Sequence, residues 1–199
     1  MDAYTHLSQD PVLKGLIEEH GKLFLPCEEE YFRVLCRAII SQQISNAAAA
    51  AIVSRFELLF SGHPDPEALK NLSFGRVKGV GLSAKKVDYL FDLAEHFVSK
   101  KITPEFFSSM SDEEIIKELV AVHGVGRWTA EMFLMFSLGR EDVFSYGDVG
   151  LLNAVYDSYF GGVKVSKKEL SRVVDSWRPY RSLASLYLWK SCDSKDSPW

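Results

Sequence analysis

A short turn between two helical patterns, His123-Gly124-Val125-Gly126, is the feature of this sequence that most restricts its fold. Glycine adopts positive φ values at little cost, so a glycine on each side of one valine lets the backbone reverse sharply between the helices. The valine can then pack between the helices while the peptide N–H groups face outward. The next helix begins at once, and its unpaired N–H groups and positive dipole end point the same way. The sequence therefore predicts a helical hairpin whose corner suits an anion such as phosphate.

Helix signals recur along the rest of the chain, and no stretch shows the alternation that is typical of a β-strand. Helix starts are indicated by Asp10-Pro11, by Ser83 and by two capping boxes, which begin at Ser111 and Ser166. Glycines such as Gly21 indicate where helices end. These signals predict an all-α protein of about ten helices.

The chain has 199 residues, 47% of them hydrophobic, which is enough to bury a sizeable core. Its start, Met1-Asp2-Ala3-Tyr4, lacks the basic and apolar regions of a secretory signal. The richest apolar run, Phe133 to Leu138, is too short to cross a bilayer. We therefore expect an intracellular, soluble protein without membrane association.

Cysteine and histidine usage gives no sign of a metal site. Cys27, Cys36 and Cys192 are odd in number and widely separated, which fits neither a disulfide framework nor a zinc site. The five histidines show no metal-ligand spacing. We expect no metal cofactor.

The net charge of −4 argues against a protein that coats DNA through bulk positive charge. It leaves open a hairpin that holds phosphates with peptide N–H groups. Lys78, Lys85, Lys86 and Arg127 could add a local positive patch. Taken singly, each is explained more simply as part of a solvated helix face.

The run HGVGRWTAEM, followed by DVFSYGDVGL with its single carboxylate Asp148, resembles the helix-hairpin-helix DNA glycosylase superfamily. Two further blocks, IISQQIS and WRPYRSLASLYLW, extend the resemblance over about residues 10–190. The sequence most resembles the 3-methyladenine DNA glycosylase II branch, which carries a tryptophan after the hairpin, as Trp128 here.

The resemblance also implies how the chain is organised. It predicts one domain, 1–199, with two lobes and a DNA-binding and active-site cleft between them. One lobe would comprise about residues 36–145, and the other about 1–35 together with 146–199.

The resemblance assigns catalysis to Asp148, which directly precedes a predicted helix. An aspartate there is usually a simple helix cap, and both roles can hold together because capping N–H groups favour the ionised carboxylate. Beside C1′ of an extruded nucleotide, a carboxylate stabilises the positive charge that develops as the N-glycosidic bond breaks, and it can orient water. Asp142 and Glu141 are nearby carboxylates, but the family has only a loop at their positions.

Trp128 stands where bifunctional relatives carry a lysine that forms a Schiff base with the sugar. Tryptophan lacks an amine, so we expect a monofunctional enzyme that leaves the strand intact. Aromatic faces attract cationic rings such as alkylated purines. The resemblance accordingly places Trp128 and Trp189 in the base pocket, with Met132 and Tyr187 beside them. Core packing is the alternative for both tryptophans.

Gln42 and Gln43 are two amides at a helix end, and a polar capping loop is the simple explanation. In the resemblance this loop meets the minor groove, and Gln43 enters the gap left by the flipped nucleotide, where its amide can bond the orphaned base. The turn KGVGLSAKK echoes the hairpin, but we do not predict a site there. The predicted DNA-binding residues are Gln42, Gln43, His123, Gly124, Val125, Gly126 and Arg127.

The sequence departs from the family pattern in three respects. His123 replaces the usual hairpin proline, which could add a phosphate contact, and Ser145-Tyr146 replaces an FP-type pair before Asp148. The four closely spaced C-terminal cysteines of some relatives are missing, so we expect no iron–sulfur cluster. A structural monovalent cation bound by hairpin carbonyls occurs in the family, and the sequence leaves it open.

The expected function is excision of alkylated purines from double-stranded DNA, leaving an abasic site, by an enzyme that acts as a monomer. A non-catalytic lesion-binding module of the same fold remains an alternative. So does a glycosylase for another base, namely hypoxanthine, uracil or ethenoadenine.

Overall fold

The computed structural model describes residues 2–192, and all regular secondary structure in that range is helical. The prediction of an all-α fold is therefore confirmed. One 3-10 turn is formed by Pro104–Phe106. The twelve α-helices of the described residues are α1 Ala3–Leu7, α2 Pro11–His20, α3 Tyr31–Ser41, α4 Asn46–Glu57, α5 Pro66–Lys70, α6 Phe74–Lys78, α7 Ala84–Val98, α8 Asp112–Val120, α9 Arg127–Phe136, α10 Val149–Phe160, α11 Lys167–Ser176 and α12 Arg181–Ser191.

The described residues contain more helices than the ten predicted because α1, α5 and α6 are each five residues long. Such short helices complete barely more than one turn, so they show no apolar periodicity in the sequence. The predicted helix starts are confirmed where a side-chain cap marks them. Asp10 accepts hydrogen bonds from two N–H groups of α2, and Ser111 and Ser166 form the expected capping boxes.

The chain divides into two compact units, which we name by their place in the sequence. The central unit is Glu28–Phe133, and the terminal unit comprises residues 2–27 with 134–192. The lobes inferred from the resemblance have their boundaries further along the chain, near residues 36 and 145. That division, and the description as one domain, stay predictions.

The core of the terminal unit is formed by α2, α10, α11 and α12. Leu13, Leu151, Val174 and Trp177 are almost completely buried in it. Burying an aliphatic side chain of this size contributes roughly 1.5–3 kcal/mol. This packing fixes the first turn of α10, which follows Asp148.

In the central unit, α7 packs against α3, α5 and α6. Leu35, Ile39 and Leu90 are completely buried there. Packing of α3 on α7 fixes the loop after α3 and the first turn of α7. Within residues 2–192, none of the helices has the length and apolar character that spanning a bilayer requires.

Candidate nucleic-acid interface and active site

The predicted hairpin is formed by α8, the turn His123–Gly126 and α9 in the central unit. Val125 is buried, with only 4% of its surface exposed, as the sequence predicted for a residue between the helices. The two glycines differ in their roles. Gly124 has a φ of 86°, whereas Gly126 does not have a positive φ and has open space around its missing Cβ. Positive φ is therefore required only at the first glycine.

Gly124 is also held against an aromatic ring. A Cβ atom at this position would lie 2.2 Å from Cδ2 of Tyr89, on α7. Contact this close leaves no room for any side chain. The turn is thus seated on the Tyr89 ring, and both its conformation and its surroundings require glycine.

The carboxylate of Asp92, on α7, holds the start of the turn. Its Oδ2 accepts from the backbone N of His123 at 2.7 Å and lies 2.8 Å from Nδ1 of the same residue. Partial burial alone would raise the pKa of Asp92, but the hydrogen bonds from His123 outweigh it and lower the pKa. Sequence reasoning missed Asp92, which lies 31 residues from His123. The phosphate contact predicted for His123 stays a prediction.

Replacing Asp92 by Asn should destabilise the hairpin, because an amide keeps one acceptor but loses the charge-assisted hydrogen bonds. We expect a loss of about 1–3 kcal/mol in the free energy of unfolding at pH 7. The folded-state pKa of Asp92 is lowered, so its contribution is fully present above the unfolded pKa near 3.9 and is lost as pH falls through the folded value. Urea unfolding of both proteins from pH 7 down to pH 3 should show their difference shrinking below about pH 4.

Asp88→Asn is the matched control for this prediction, since Asp88 is exposed one turn earlier on the same helix. It should leave stability within about 0.5 kcal/mol of the wild type. Equal losses for the two variants, or a difference that does not depend on pH, would contradict a specific role for the Asp92 carboxylate.

The loop after α3 lies beside the hairpin in the central unit. Nε2 of Gln42 donates to the carbonyl oxygen of Gly124 at 2.8 Å. Gln43 is exposed and has a φ of 58°, in the left-handed region that side-chain-bearing residues rarely adopt. These residues and the start of α7 surround a groove of about 450 Å³. Its lining residues are Gln42, Gln43, Ser83, Lys85, Lys86, Tyr89, Gly124, Val125 and Gly126.

The structure therefore brings together five of the seven predicted DNA-binding residues around this groove, whereas His123 and Arg127 are not part of its lining. It adds the first turn of α7, which follows the repeated turn KGVG and for which we predicted no site. Ser83 caps this helix through a hydrogen bond from the N–H of Lys86, so the helix N-terminus is one wall of the groove. The repeated turn was the sequence feature that could have predicted this wall of the groove.

Two of the four cations in the predicted positive patch donate hydrogen bonds within the protein, and a third, Lys85, lies over the ring of Tyr89. Arg127 pairs with Glu113 and, through Nε at 2.9 Å, with Oε1 of Glu131. The hydrogen bond that Arg127 donates to Glu113 is the main reason why the pKa of Arg127 is raised. Nζ of Lys86 donates to the backbone carbonyl groups of Ile40 and Gln42. The DNA contact predicted for Arg127 stays a prediction.

Asp148 lies in the terminal unit and caps α10, as its position in the sequence predicted. Its Oδ1 accepts from the backbone N of Leu151 at 2.7 Å and from Nε1 of Trp189 at 3.4 Å. Hydrogen bonds to a carboxylate oxygen from fixed donors restrict its rotation. The carboxylate is thus oriented by both the helix N-terminus and an indole.

Exposed apolar side chains lie next to Asp148 in the sequence. Val149, in the first turn of α10, is 70% exposed, and Tyr146 is also exposed, with its ring edge against Phe144. Sequence reasoning did not single out Val149, because an apolar residue at the start of a helix usually packs in the core.

The loop before Asp148 is held by hydrogen bonds to side chains of α12 and of the residues just before that helix. Asp142 accepts from Nε of Arg181 at 2.6 Å and from Nη1 of Arg178 at 2.6 Å. The hydroxyl of Ser182 donates to Arg140 O and accepts from the N–H of Val143. Asp142 therefore holds this loop against the two arginines, and its exclusion as the catalytic carboxylate stays a prediction.

The four predicted pocket residues occupy different environments. Trp189 is partly buried, with its ring centroid 5.9 Å from that of Phe136. Tyr187 is completely buried, donates to Gly21 O at 2.7 Å and accepts from Leu23 N at 3.2 Å. Such contacts are typical of a core residue.

Of the other two pocket residues, Met132 is 1% exposed and Trp128 is partly exposed at the start of α9. Both belong to the central unit, whereas Asp148, Trp189 and Tyr187 belong to the terminal unit. The base-pocket roles of all four side chains stay predictions.

Known proteins resemble this chain over nearly its whole length. A family sequence model described as HhH-GPD superfamily base excision DNA repair protein matches residues 36–179. The protein YfjP of Bacillus subtilis (strain 168) is 30% identical over 91% of this chain, which spans 66% of that protein. The crystal structure of a DNA-3-methyladenine glycosidase from Bacillus halodurans has a TM-score of 0.87 and 38% identity, covering 96% of this chain and 88% of its own.

A second solved structure is that of 3-methyladenine DNA glycosylase Mag1 from Schizosaccharomyces pombe in complex with abasic DNA. It has a TM-score of 0.83 and 32% identity, and the match covers 100% of this chain and 99% of that one. The matches extend through the hairpin, the loop after α3 and the Asp148 segment. The chain therefore belongs to the HhH-GPD superfamily of base excision DNA repair proteins, as the resemblance predicted.

Proposed function

We propose that this protein is a monofunctional DNA glycosylase that removes alkylated purines, of the 3-methyladenine and 7-methylguanine type, and leaves an abasic site. The observation that carries the proposal is the carboxylate of Asp148, oriented by Leu151 N and Trp189 Nε1 at the position of the family's catalytic aspartate. The two similar structures are of a DNA-3-methyladenine glycosidase and a 3-methyladenine DNA glycosylase, and this similarity supports the choice of substrate.

Asp148 would act at C1′ of a nucleotide that has been turned out of the duplex. As the C1′–N bond breaks, the base leaves with the bonding electrons, and the sugar acquires positive charge that the carboxylate stabilises. Water then bonds to C1′ and loses a proton to the carboxylate or to solvent. An alkylated purine carries positive charge before the bond breaks, so it leaves as a neutral base. No separate general acid is needed for such a leaving group.

Trp128 and Trp189 would attract the cationic base through their aromatic faces. Because Trp128 has no amine, the sugar is not captured as a Schiff base, and the product keeps an intact strand. Trp189 would also orient the catalytic carboxylate, because its indole N–H donates to Asp148. Its pocket role and its contact with Asp148 are compatible because they use the ring face and the ring edge.

The groove of the central unit would hold the DNA backbone. Peptide N–H groups at Gly124 and Gly126 would face a phosphate, whereas the N–H of Val125 donates to Val122 O. Exposed Gln43 would fill the gap left by the flipped nucleotide. Double-stranded DNA with damaged bases is therefore the proposed partner, bound by a monomer wherever cellular DNA is kept. Binding of the DNA backbone in this way uses few cationic side chains, so the salt dependence of DNA affinity should be modest.

The proposed reaction needs no cofactor. Cys36 is completely buried, and desolvation raises the pKa of its thiol, so it is suited to packing. Within residues 2–192, no cluster of three or more His, Cys, Asp or Glu side chains could hold a metal ion. We propose that no iron–sulfur cluster is present, and that any monovalent cation at the hairpin carbonyls has a structural role.

Substrate choice can be tested with a panel of duplexes that each carry one lesion. We expect excision of 7-methylguanine, and of 3-methyladenine from DNA treated with a methylating agent, at least about tenfold faster than excision of hypoxanthine, uracil or ethenoadenine. Gel electrophoresis after heating in alkali measures the abasic product. Faster excision of one of the three other bases would change the substrate, and binding to lesions without any excision would favour a non-catalytic module.

A further inference from the structure

The ammonium group of Lys86, in the first turn of α7, donates to two carbonyl groups at the end of α3. Its Nζ lies 2.7 Å from the carbonyl oxygen of Ile40 and 2.7 Å from that of Gln42. The last carbonyl groups of a helix lack partners within the helix, and a cation there also interacts favourably with the negative dipole end. Lys86 therefore binds the protein itself, although the sequence suggested a patch for DNA.

The carbonyl group of Gln42 belongs to the peptide that joins it to Gln43. The φ angle of Gln43, 58°, describes rotation about the bond that follows this peptide. A hydrogen bond that fixes the plane of the peptide thus opposes relaxation of Gln43 to the negative φ that L-residues prefer. Without it, the exposed loop would be free to turn the Gln43 side chain away.

The loop is fixed on its other side by the hairpin. The side-chain amide of Gln42 donates to Gly124 O, and Gly124 is seated on the ring of Tyr89. Tyr89 lies on α7, as Lys86 does. One helix therefore supports both the hairpin and the loop, the hairpin through an aromatic ring and the loop through an ammonium group.

We propose that Lys86 is a positioning residue that holds Gln43 in the conformation in which it enters the DNA. The inference rests on the proposed function, in which Gln43 replaces the flipped nucleotide in the stack. Lys86 touches neither the base nor the sugar in this account. Its effect reaches the DNA only through Gln43.

Lys86→Met keeps the length of the side chain and removes the ammonium group. We expect affinity for a duplex with a stable abasic analogue, and kcat/KM for excision, each to fall by about tenfold, the scale of a lost charge-assisted hydrogen bond. Lys86→Arg retains a cationic donor and should recover most of the loss. Lys101→Met, at an exposed position beyond the end of α7, is the matched control and should change neither quantity.

A double-mutant cycle with Gln43→Ala separates positioning from the other roles of a lysine. Once Gln43 has lost its amide, Lys86→Met should cost less than about twofold in abasic-duplex affinity. A tenfold cost on both backgrounds, with a salt slope reduced by about one, would mean a direct phosphate contact and overturn the inference. A tenfold cost on both backgrounds with a lowered Tm would mean a general structural role, and would overturn it too.

Binding to the abasic analogue, measured by fluorescence anisotropy, does not require excision. If the mutant cycle shows coupling between Lys86 and Gln43 but the wild-type protein releases no base, the proposed function is contradicted and the positioning role is supported. Excision without the coupling would contradict the positioning role alone. Failure of the wild type to bind the abasic duplex would end both proposals.

Discussion

Asp148→Asn should abolish most excision of alkylated purines while leaving the fold and the binding of abasic DNA intact. An amide oxygen can still accept from Leu151 N and Trp189 Nε1, so the cap of α10 persists. What is lost is the negative charge that stabilises the oxocarbenium-like sugar and helps to activate water. Removal of one such electrostatic group typically costs about 10²–10³-fold in rate, and single-turnover excision of a 7-methylguanine duplex measures it.

The matched control is Asp157→Asn, at an exposed position two turns further along α10. It removes the same charge from the same helix and should leave the rate within about twofold of the wild type. Near-wild-type excision by Asp148→Asn would remove this carboxylate from the mechanism. Loss of both excision and abasic-DNA binding, with a lowered Tm, would show that Asp148 serves the fold alone.

Gly124→Ala should destabilise the hairpin strongly, because the substitution fails on two independent grounds. The φ of 86° disfavours any Cβ, and the added carbon would lie 2.2 Å from the Tyr89 ring. Relief requires movement of the turn or of a ring packed on α7. We expect a loss of about 2–4 kcal/mol in the free energy of unfolding, measured by urea denaturation. Affinity for abasic duplex should fall by at least about tenfold because the N–H groups of the turn move with it.

Gly126→Ala provides the comparison within the same turn. Gly126 does not have a positive φ, and its missing Cβ faces open space, so the free energy of unfolding should change by less than about 0.5 kcal/mol. Equal losses at the two glycines would mean that the hairpin does not depend on Tyr89 or on positive φ at Gly124.

Features that depend on neighbouring residues could be predicted from the sequence. Helix caps are decided within about four positions, and those at Asp10, Ser111, Ser166 and Asp148 are present. Burial of Val125 followed from its place between two packed helices. The same local logic treated both hairpin glycines as equivalent, and the structure separates them.

Features that depend on how helices cross could not be predicted. The contacts of α7 with the hairpin and the loop, through Asp92, Tyr89 and Lys86, join residues far apart in the sequence. Helical periodicity shows which side of α7 is apolar, but it does not show which polar residue at the edge of that side meets a partner. The positive patch was overestimated for the same reason, since Lys86 and Arg127 find partners within the fold.

Release of the free base by the wild-type protein is the most direct test of the central claim, that a carboxylate without an amine partner breaks the glycosidic bond. A duplex with one 7-methylguanine is incubated with the protein, with and without borohydride, and the products are separated by chromatography and gel electrophoresis. We expect free 7-methylguanine and a strand that breaks only after alkali, with no protein–DNA adduct. A covalent adduct trapped by borohydride, strand scission without alkali, or no free base would contradict the claim.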